Sequence, residues 1–262
     1  MTGASAAPVI SIEDVSKTFG VGGDSEVVAI RSISMDVREG EFVSVVGHSG
    51  CGKTTLLKMI SGLIAPTRGS VTVDGKRVVR PLASVGFVFQ SPLLMPWRTA
   101  LENILLPIEL LNKDPRSFAE RASQLMESAG LGGFEKMYPR QLSGGMQQRV
   151  AIARALIHDP EILLMDEPFG SLDELTREEM GLELLKITER MGKVVVFVTH
   201  SVPEAVMLAD RVVVLSPRPA TVKLDLQIAC KRPRESSIRS DADYIRYCET
   251  VRRSLGLSRL SE

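Results

Sequence analysis

The chain has 262 residues, with 32 lysines and arginines against 32 aspartates and glutamates, and therefore no formal net charge at pH 7. This balance argues against a general nucleic-acid-binding protein, which needs a basic surface, and a hydrophobic content of 44% argues against a largely disordered chain. The length suits one large domain, or a core with an added subdomain.

The sequence predicts neither a membrane-spanning helix nor a secretory signal. The longest stretch without a charged residue, Pro81–Trp97, is shorter than the ~20 apolar residues of a spanning helix and is interrupted by prolines. Met1–Pro8 lacks a basic segment followed by an apolar one. Cys51, Cys230 and Cys248 have no disulfide-framework spacing, so we expect free thiols and a cytoplasmic protein.

The first ninety residues favour strands. Apolar and polar residues mix over Val9–Val15 and alternate over Val27–Val37, which predicts half-buried strands. Phe42–Val46 is a short apolar run typical of a fully buried strand. The other predicted features are a loop at Gly20–Asp24, a helix at Lys53–Ile60, a hairpin around Asp74–Gly75 and a buried strand at Ser84–Phe89.

From Ser91 to about His158 the spacing of apolar residues becomes helical. Strands and helices then alternate, which predicts an α/β fold with a mostly parallel sheet and a helical insertion. Prolines break the segment Pro217–Pro233, and Asp241–Leu255 predicts one last helix. The alternating elements are strands at Ile162–Met165, Val194–Val198 and Arg211–Leu215, and helices at Glu174–Met191 and Val202–Leu208.

A glycine-rich segment after the Phe42–Val46 strand fits the phosphate-binding pattern G-x-x-x-x-G-K-[ST]. Its glycines let backbone N–H groups point at phosphate oxygens, and the helix that it opens adds a positive partial charge. Lys53 is placed to reach the β- and γ-phosphates, and the Thr54 hydroxyl to bind Mg²⁺. The alternatives are a ligand-free turn and, for Cys51, a small filling residue instead of a nucleophile. The segment is Gly47-His48-Ser49-Gly50-Cys51-Gly52-Lys53-Thr54.

Polar side chains follow three other predicted strands. Asp166 and Glu167 come directly after Ile162–Met165, where Asp166 is expected to hold Mg²⁺ and Glu167 to orient or deprotonate an attacking water. His200 and Gln90 also follow strands, so His200 is expected near the γ-phosphate and Gln90 near the metal or the water. A solvated turn and a structural histidine are the competing interpretations.

A second helix start lies in the helical region. Leu142–Arg149 has the sequence LSGGMQQR, in which Ser143 is a good N-cap and Gly144 and Gly145 expose the helix N-terminus to an anion. One ATP already has the glycine-rich loop. A second helix N-terminus able to bind phosphate, in the inserted region, therefore indicates a role other than completing the ATP site at the glycine-rich loop.

Taken together and in this order, these motifs resemble those of the ATP-binding cassette (ABC) ATPases, the motor subunits of ABC transporters. The resemblance covers about residues 9–216 and includes Ser171-Leu172-Asp173. It implies a P-loop NTPase (RecA-like) core with a mostly parallel sheet, an N-terminal antiparallel β subdomain and an inserted α-helical subdomain. The expected divisions are 9–90 for the first part of the core, 91–157 for the helical subdomain, 158–216 for the rest of the core and 217–262 for a short extension.

The resemblance also implies how the site residues act. ATP and Mg²⁺ bind at residues 47–55, which include Thr55, with Gln90 and Asp166, and Phe19 stacks on adenine. Two cassettes, expected to be identical, pack head to tail, so that Ser143, Gly144 and Gly145 of one contact the ATP of the other. Asp173 then lies at the interface between them.

Length and finer motifs narrow the kind of cassette. Within these 262 residues the sequence predicts no long coiled coil, second cassette, spanning helix or large regulatory domain, so a separate subunit of a bacterial importer is expected. The sequences GHSGCGKTT, SPLLMPWR and LSPRP resemble those of the nitrate/sulfonate/taurine importer group. This implies a peripheral location on the cytoplasmic face of the inner membrane and an indirect partner, a periplasmic or lipid-anchored solute-binding protein. The competing class is an ATP-dependent switch that regulates a complex other than a transporter.

The resemblance also places the permease on Gln90–Trp97, through Leu94, Met95 and Trp97. Local core under the helical insertion is the alternative for these three side chains.

Overall fold

The computed structural model describes residues 7–20, 26–170, 172–230, 232 and 234–257. Most of the predicted loop Gly20–Asp24, and Ser171, lie outside this part of the chain. The strands are β1 (Ile10–Phe19), β2 (Val27–Val37), β3 (Phe42–Val46), β4 (Arg68–Val73), β5 (Lys76–Arg77), β6 (Val85–Val88), β7 (Ile162–Asp166), β8 (Val194–Thr199), β9 (Arg211–Leu215) and β10 (Ala220–Gln227). The helices are α1 (Lys53–Ile60), α2 (Ala100–Leu110), α3 (Ala119–Ser128), α4 (Gly144–Leu156), α5 (Glu174–Met191), α6 (Val202–Leu208) and α7 (Ala242–Leu255), with short 3₁₀ turns at Pro115–Phe118, Pro139–Gln141 and Ser236–Ser240.

All described strands belong to one sheet, in the order β5-β4-β1-β2-β10-β9-β3-β8-β7-β6. Strands β5, β4, β1 and β2 pair antiparallel, whereas β9, β3, β8, β7 and β6 run parallel. Strand β10 joins the two halves, because it pairs antiparallel with β9 and parallel with β2. The carboxyl ends of the parallel strands therefore meet at one edge, where ligands bind in such sheets.

The parallel strands are apolar because helices cover both faces of the sheet. Every residue of β3, β7 and β8 is buried. On one face Phe197 lies between Phe42 and Phe169, with ring centroids 5.8 Å apart in each pair. On the other face α1 packs through Leu56 and Leu57. This double cover keeps the ends of the strands in fixed positions.

The helical insertion has its own apolar cluster. Helix α2 begins with a capping box, in which Thr99 accepts from the backbone of Glu102 and the Glu102 carboxylate accepts from Thr99 N. Helices α2, α3 and α4 pack around buried side chains that include Ile104, Met126 and Val150. None of the described helices is both long and apolar enough to cross a membrane.

Most predicted elements are confirmed, and one was missed. Helix α7 confirms the helix predicted over Asp241–Leu255, and the Asp241 side chain caps its first turn. The interpretation of Pro217–Pro233 as a proline-broken segment was wrong in part, because it contains β10. Pro217 and Pro219 precede this strand and therefore do not interrupt its hydrogen bonds. The division of the chain into four segments stays a prediction.

Candidate active site

The glycine-rich loop joins β3 to α1 and depends on glycine for its path. Gly52, the residue before α1, has φ +116°, and a Cβ there would lie 3.1 Å from Ile30 Cγ1 and 3.3 Å from the Ala29 carbonyl oxygen. Gly50 has φ +73° with open space beside it. Residues other than glycine are therefore strained at both positions. The free N–H groups at the start of α1 are left to face a ligand.

A cleft of about 290 Å³ lies along this edge of the sheet. It brings together side chains that are far apart in the sequence, from β1 to the β9–β10 loop. Most of its lining was predicted, and Ala29 and Arg218 were missed. Ala29 lies in no motif, and Arg218 lies in LSPRP, a motif that indicated the importer group and not a contact with the cleft. The lining residues are Phe19, Ala29, Ser49, Gly50, Gly52, Lys53, Thr54, Thr55, Gln90, Glu167 and Arg218.

The Lys53 ammonium is held over the loop from which it comes. Its side chain is only 5% exposed, and Nζ donates to the carbonyl oxygens of Gly47 and His48 at 2.9 and 3.2 Å. The same nitrogen lies 3.6 Å from Glu167 Oε1. The carbonyl and carboxylate partners hold this nitrogen beside the cleft.

Glu167 is the meeting point of three predicted side chains. Its carboxylate contacts Lys53, and Oε2 lies 3.4 Å from Gln90 Nε2 and 3.1 Å from His200 Nδ1. Its backbone has φ +46°, uncommon for a residue other than glycine, and its N–H donates to the Val198 carbonyl oxygen at 2.8 Å. This bond to β8 holds the turn that aims the carboxylate into the cleft.

Thr54 and Asp166 form a pair of oxygen ligands beside Lys53. Thr54 Oγ1 donates to Asp166 Oδ1 at 3.1 Å. Burial raises the pKa of the Asp166 carboxyl, and the hydrogen bond from Thr54 opposes this rise. A hydroxyl and a carboxylate suit Mg²⁺, which prefers few protein ligands together with phosphate oxygens. No group of three or more His, Cys, Asp or Glu residues able to hold a metal occurs in the described ranges.

Phe19 ends β1 at the opposite end of the cleft from Glu167. Its ring is 43% exposed, and Lys17 Nζ lies 5.2 Å from the ring centroid. An exposed aromatic face beside a phosphate-binding loop suits stacking against a base. The predicted role of Phe19 is compatible with this position.

Two predicted side chains in the loop do not face the cleft. His48 Nε2 lies 3.0 Å from the Leu255 carbonyl oxygen, at the end of α7. Cys51 is buried, and burial raises the pKa of its thiol, which suits a packing residue and not a nucleophile. A contribution of either residue to nucleotide binding therefore rests on its backbone.

The signature segment lies apart from the cleft of its own chain. Ser143 caps α4 by accepting from Met146 N at 3.2 Å, and Ser143 and Gly144 are exposed. Asp173 caps α5 in the same way, by accepting from Thr176 N at 3.0 Å. The N-terminus of α4 is thus open to a ligand brought by another molecule.

Comparisons with known proteins agree with this geometry. The profile of the ABC transporter family matches residues 30–170. An uncharacterized ABC transporter ATP-binding protein of Methanocaldococcus jannaschii is 50% identical over 92% of this chain and 89% of its own length. A nitrate import ATP-binding protein of Synechocystis sp. is 42% identical over 92% and 93%, and a taurine import ATP-binding protein of Ruegeria pomeroyi is 41% identical over 84% and 82%.

A solved ATP-binding cassette, a dimer in a post-hydrolysis state bound to ADP and Pi, superimposes with a TM-score of 0.76 at 35% identity, covering 85% of this chain and 100% of the other. The family match and the curated relatives span more than half of the sequence. The chain belongs to the ABC transporter family.

Proposed function

We propose that the chain is the ATP-hydrolysing motor subunit of an importer for a small anion or organic solute of the nitrate, sulfonate or taurine type. The observation that carries the hydrolytic activity in this proposal is the Glu167 carboxylate, placed between Lys53, Gln90 and His200 beside the glycine-rich loop. A cassette that only binds nucleotide has no need of a carboxylate held at this point by three polar side chains.

The site residues divide the work of hydrolysis. Lys53 and the N–H groups of the loop bind the β- and γ-phosphates, while Glu167 orients a water and accepts its proton. His200 and Gln90 hold the Glu167 carboxylate in position, and His200 stabilises charge that develops on the γ-phosphate. Mg²⁺ held by Thr54, Asp166 and Gln90 would neutralise charge on the phosphates.

A second copy of the chain completes each site. The start of α4, where Ser143 and Gly144 are exposed and Gly145 is partly buried, does not line its own cleft, which suits a contact with ATP bound to the partner. The solved relative in the post-hydrolysis state is a dimer. ATP binding would draw two cassettes together, and loss of phosphate would release them.

The permease is expected to dock on an apolar groove of about 450 Å³ beside β6 and α2. Phe87, Phe89, Met95 and Leu106 are among its lining residues. The three side chains predicted to contact the permease have different surroundings. Met95 lines the groove, Leu94 packs against the helical core and Trp97 is 71% exposed. Met95 and Trp97 are thus available to a partner, whereas Leu94 has the packing role.

The relatives support the class of solute and the location of the assembly. Two of them are named as nitrate and taurine import proteins, and both names denote small anionic or zwitterionic solutes. An importer of this type needs a permease and a solute-binding protein outside the membrane. We therefore place the chain at the cytoplasmic face of the cell membrane, attached through the permease.

Glu167→Gln tests the catalytic assignment. We expect hydrolysis to fall by roughly 10²- to 10⁴-fold, the usual contribution of a general base, while ATP-dependent dimers accumulate in size-exclusion chromatography. Glu13→Gln, which changes an exposed glutamate on β1, is the matched control. Normal hydrolysis by the Glu167→Gln variant would show that Glu167 is not the base.

A second experiment separates the importer from a switch that serves no transporter. Met95→Glu places a charge in the groove, so it should abolish co-purification with a membrane permease and leave basal ATP hydrolysis intact. The control is Val79→Glu. Val79 is 78% exposed and follows β5, at the opposite edge of the sheet from β6. Hydrolysis without any associated permease would favour the switch.

A further inference from the structure

Arg218, to which the sequence analysis assigned no role in the site, lines the cleft together with Phe19 and Lys53. We propose that its guanidinium binds the α-phosphate of the nucleotide. This inference rests on the proposed function, because it assumes that the cleft holds ATP and ADP. It assigns to the β9–β10 loop a direct part in nucleotide affinity.

The order of strands places Arg218 along the cleft. From one side to the other, Phe19 ends β1, Arg218 lies between β9 and β10, the glycine-rich loop follows β3, and Glu167 follows β7. The γ-phosphate belongs near Lys53 and Glu167, and the base near Phe19. Arg218 therefore lies beside the middle of the nucleotide, where the α-phosphate and the ribose are.

Both ends of the loop that carries Arg218 touch the glycine-rich loop. A Cβ on Gly47 would lie 3.4 Å from Leu215 Cβ, and a Cβ on Gly52 would lie 3.7 Å from Ala220 Cβ. The residues that flank the β9–β10 loop are thus packed against the phosphate-binding backbone. This contact sets the distance between Arg218 and the phosphates.

The loop itself is well restrained. Ser216 N donates to the Thr221 carbonyl oxygen at 2.9 Å, and Thr221 N donates to Ser216 Oγ at 3.0 Å. Pro217 and Pro219 flank Arg218, and each proline fixes its own φ. A guanidinium on a restrained loop loses little freedom when it binds an anion, so it adds affinity efficiently.

The chemistry of arginine fits the phosphate end better than the base end. Guanidinium groups make charge-assisted hydrogen bonds to phosphate oxygens in a planar fork. Within the described residues no carboxylate lies within salt-bridge distance of Arg218, and the side chain is exposed to the cleft. Because ATP and ADP share the α-phosphate, both should bind through this contact.

Equilibrium binding of fluorescent ADP and ATP to the purified chain tests the proposal. We expect Arg218→Ala to raise Kd for both nucleotides about tenfold, the loss of one charge-assisted hydrogen bond, with kcat at saturating ATP unchanged. Arg218→Glu should weaken ADP binding further than Arg218→Ala, and both losses should shrink at high salt. Arg77→Ala, at an exposed arginine on β5, should bind like the parent.

Three results would overturn the proposal. The first is that Arg218→Ala binds ADP with the same Kd as the parent chain, and the second is that the alanine and glutamate variants have equal Kd values. The third is a fall in kcat without a change in Kd. Failure of the proposed function looks different, because then the parent chain itself binds neither nucleotide. Thermal unfolding without nucleotide should be the same for all variants, since Arg218 is exposed.

Discussion

The contact between His48 and the end of α7 gives a prediction whose size follows from the structure. The Leu255 carbonyl belongs to the last turn of the helix, where no N–H further along the helix is available to it, and His48 Nε2 lies 3.0 Å away. One such bond contributes about 0.5–1.5 kcal/mol, and water replaces part of it because the imidazole is exposed. We therefore expect His48→Ala to destabilise this turn by about 0.5–1 kcal/mol, or roughly two- to fivefold in its opening equilibrium.

Hydrogen exchange of the nucleotide-free protein measures this change. Amides in the last turn of α7 should exchange two- to fivefold faster in His48→Ala, whereas the first turns should not change. Those turns are held by other bonds, from Tyr244 Oη to the Pro203 carbonyl oxygen and from Ala229 N to Tyr247 Oη. His48→Gln keeps an N–H donor at a similar reach and serves as the control. Unchanged exchange in the last turn, or equal acceleration along all of α7, would refute the assignment of His48 as its cap.

Three further outcomes follow from buried or partly buried groups. Burial raises the pKa of the Asp166 carboxyl, so its ionisation lowers folding stability as pH rises above 3.8, the ordinary pKa of an aspartate. Asp166→Asn should therefore raise Tm at neutral pH and raise it less in acid. The same variant should lose Mg²⁺-dependent hydrolysis. Arg154 donates to the carbonyl oxygens of Leu93 and Pro92 at 2.9 and 2.6 Å. Arg154→Ala should lower the free energy of unfolding by about 1–3 kcal/mol and make the backbone around Pro92 and Leu93 accessible to protease. An unchanged cleavage pattern would contradict the role given to Arg154. Phe197→Ala should cost about 3–5 kcal/mol in urea unfolding, and a loss under 1 kcal/mol would disprove tight packing between the three rings.

The sequence was informative where a motif requires one local geometry. The glycine-rich loop and the apolar runs that end in Gln90, Glu167 and His200 predicted a site at one sheet edge, and the structure brings these side chains together. Strand β10 was missed because prolines lie before and after it, and because its alternating charged residues resemble those of a surface loop. Its position between β2 and β9 depends on long-range pairing that no local pattern encodes.

The same limit applies to Arg218 and to the side chain of His48. Arg218 enters the cleft only because β10 returns beside β2, and His48 turns away from the cleft because α7 ends beside it. Each contact joins residues that are far apart in the chain. Spacing along the sequence carries no signal for such contacts.

The strand order also determines when nucleotide binding becomes possible during translation. Strand β3, which leads into the glycine-rich loop, lies between β8 and β9, and both are synthesised much later. A nascent chain that has released only its N-terminal half therefore exposes the loop without the strands that support it. The lining of the cleft is complete only after β10 has left the ribosome and paired with β2. ATP then stabilises the completed fold and not its precursors, because a ligand stabilises only the state that binds it.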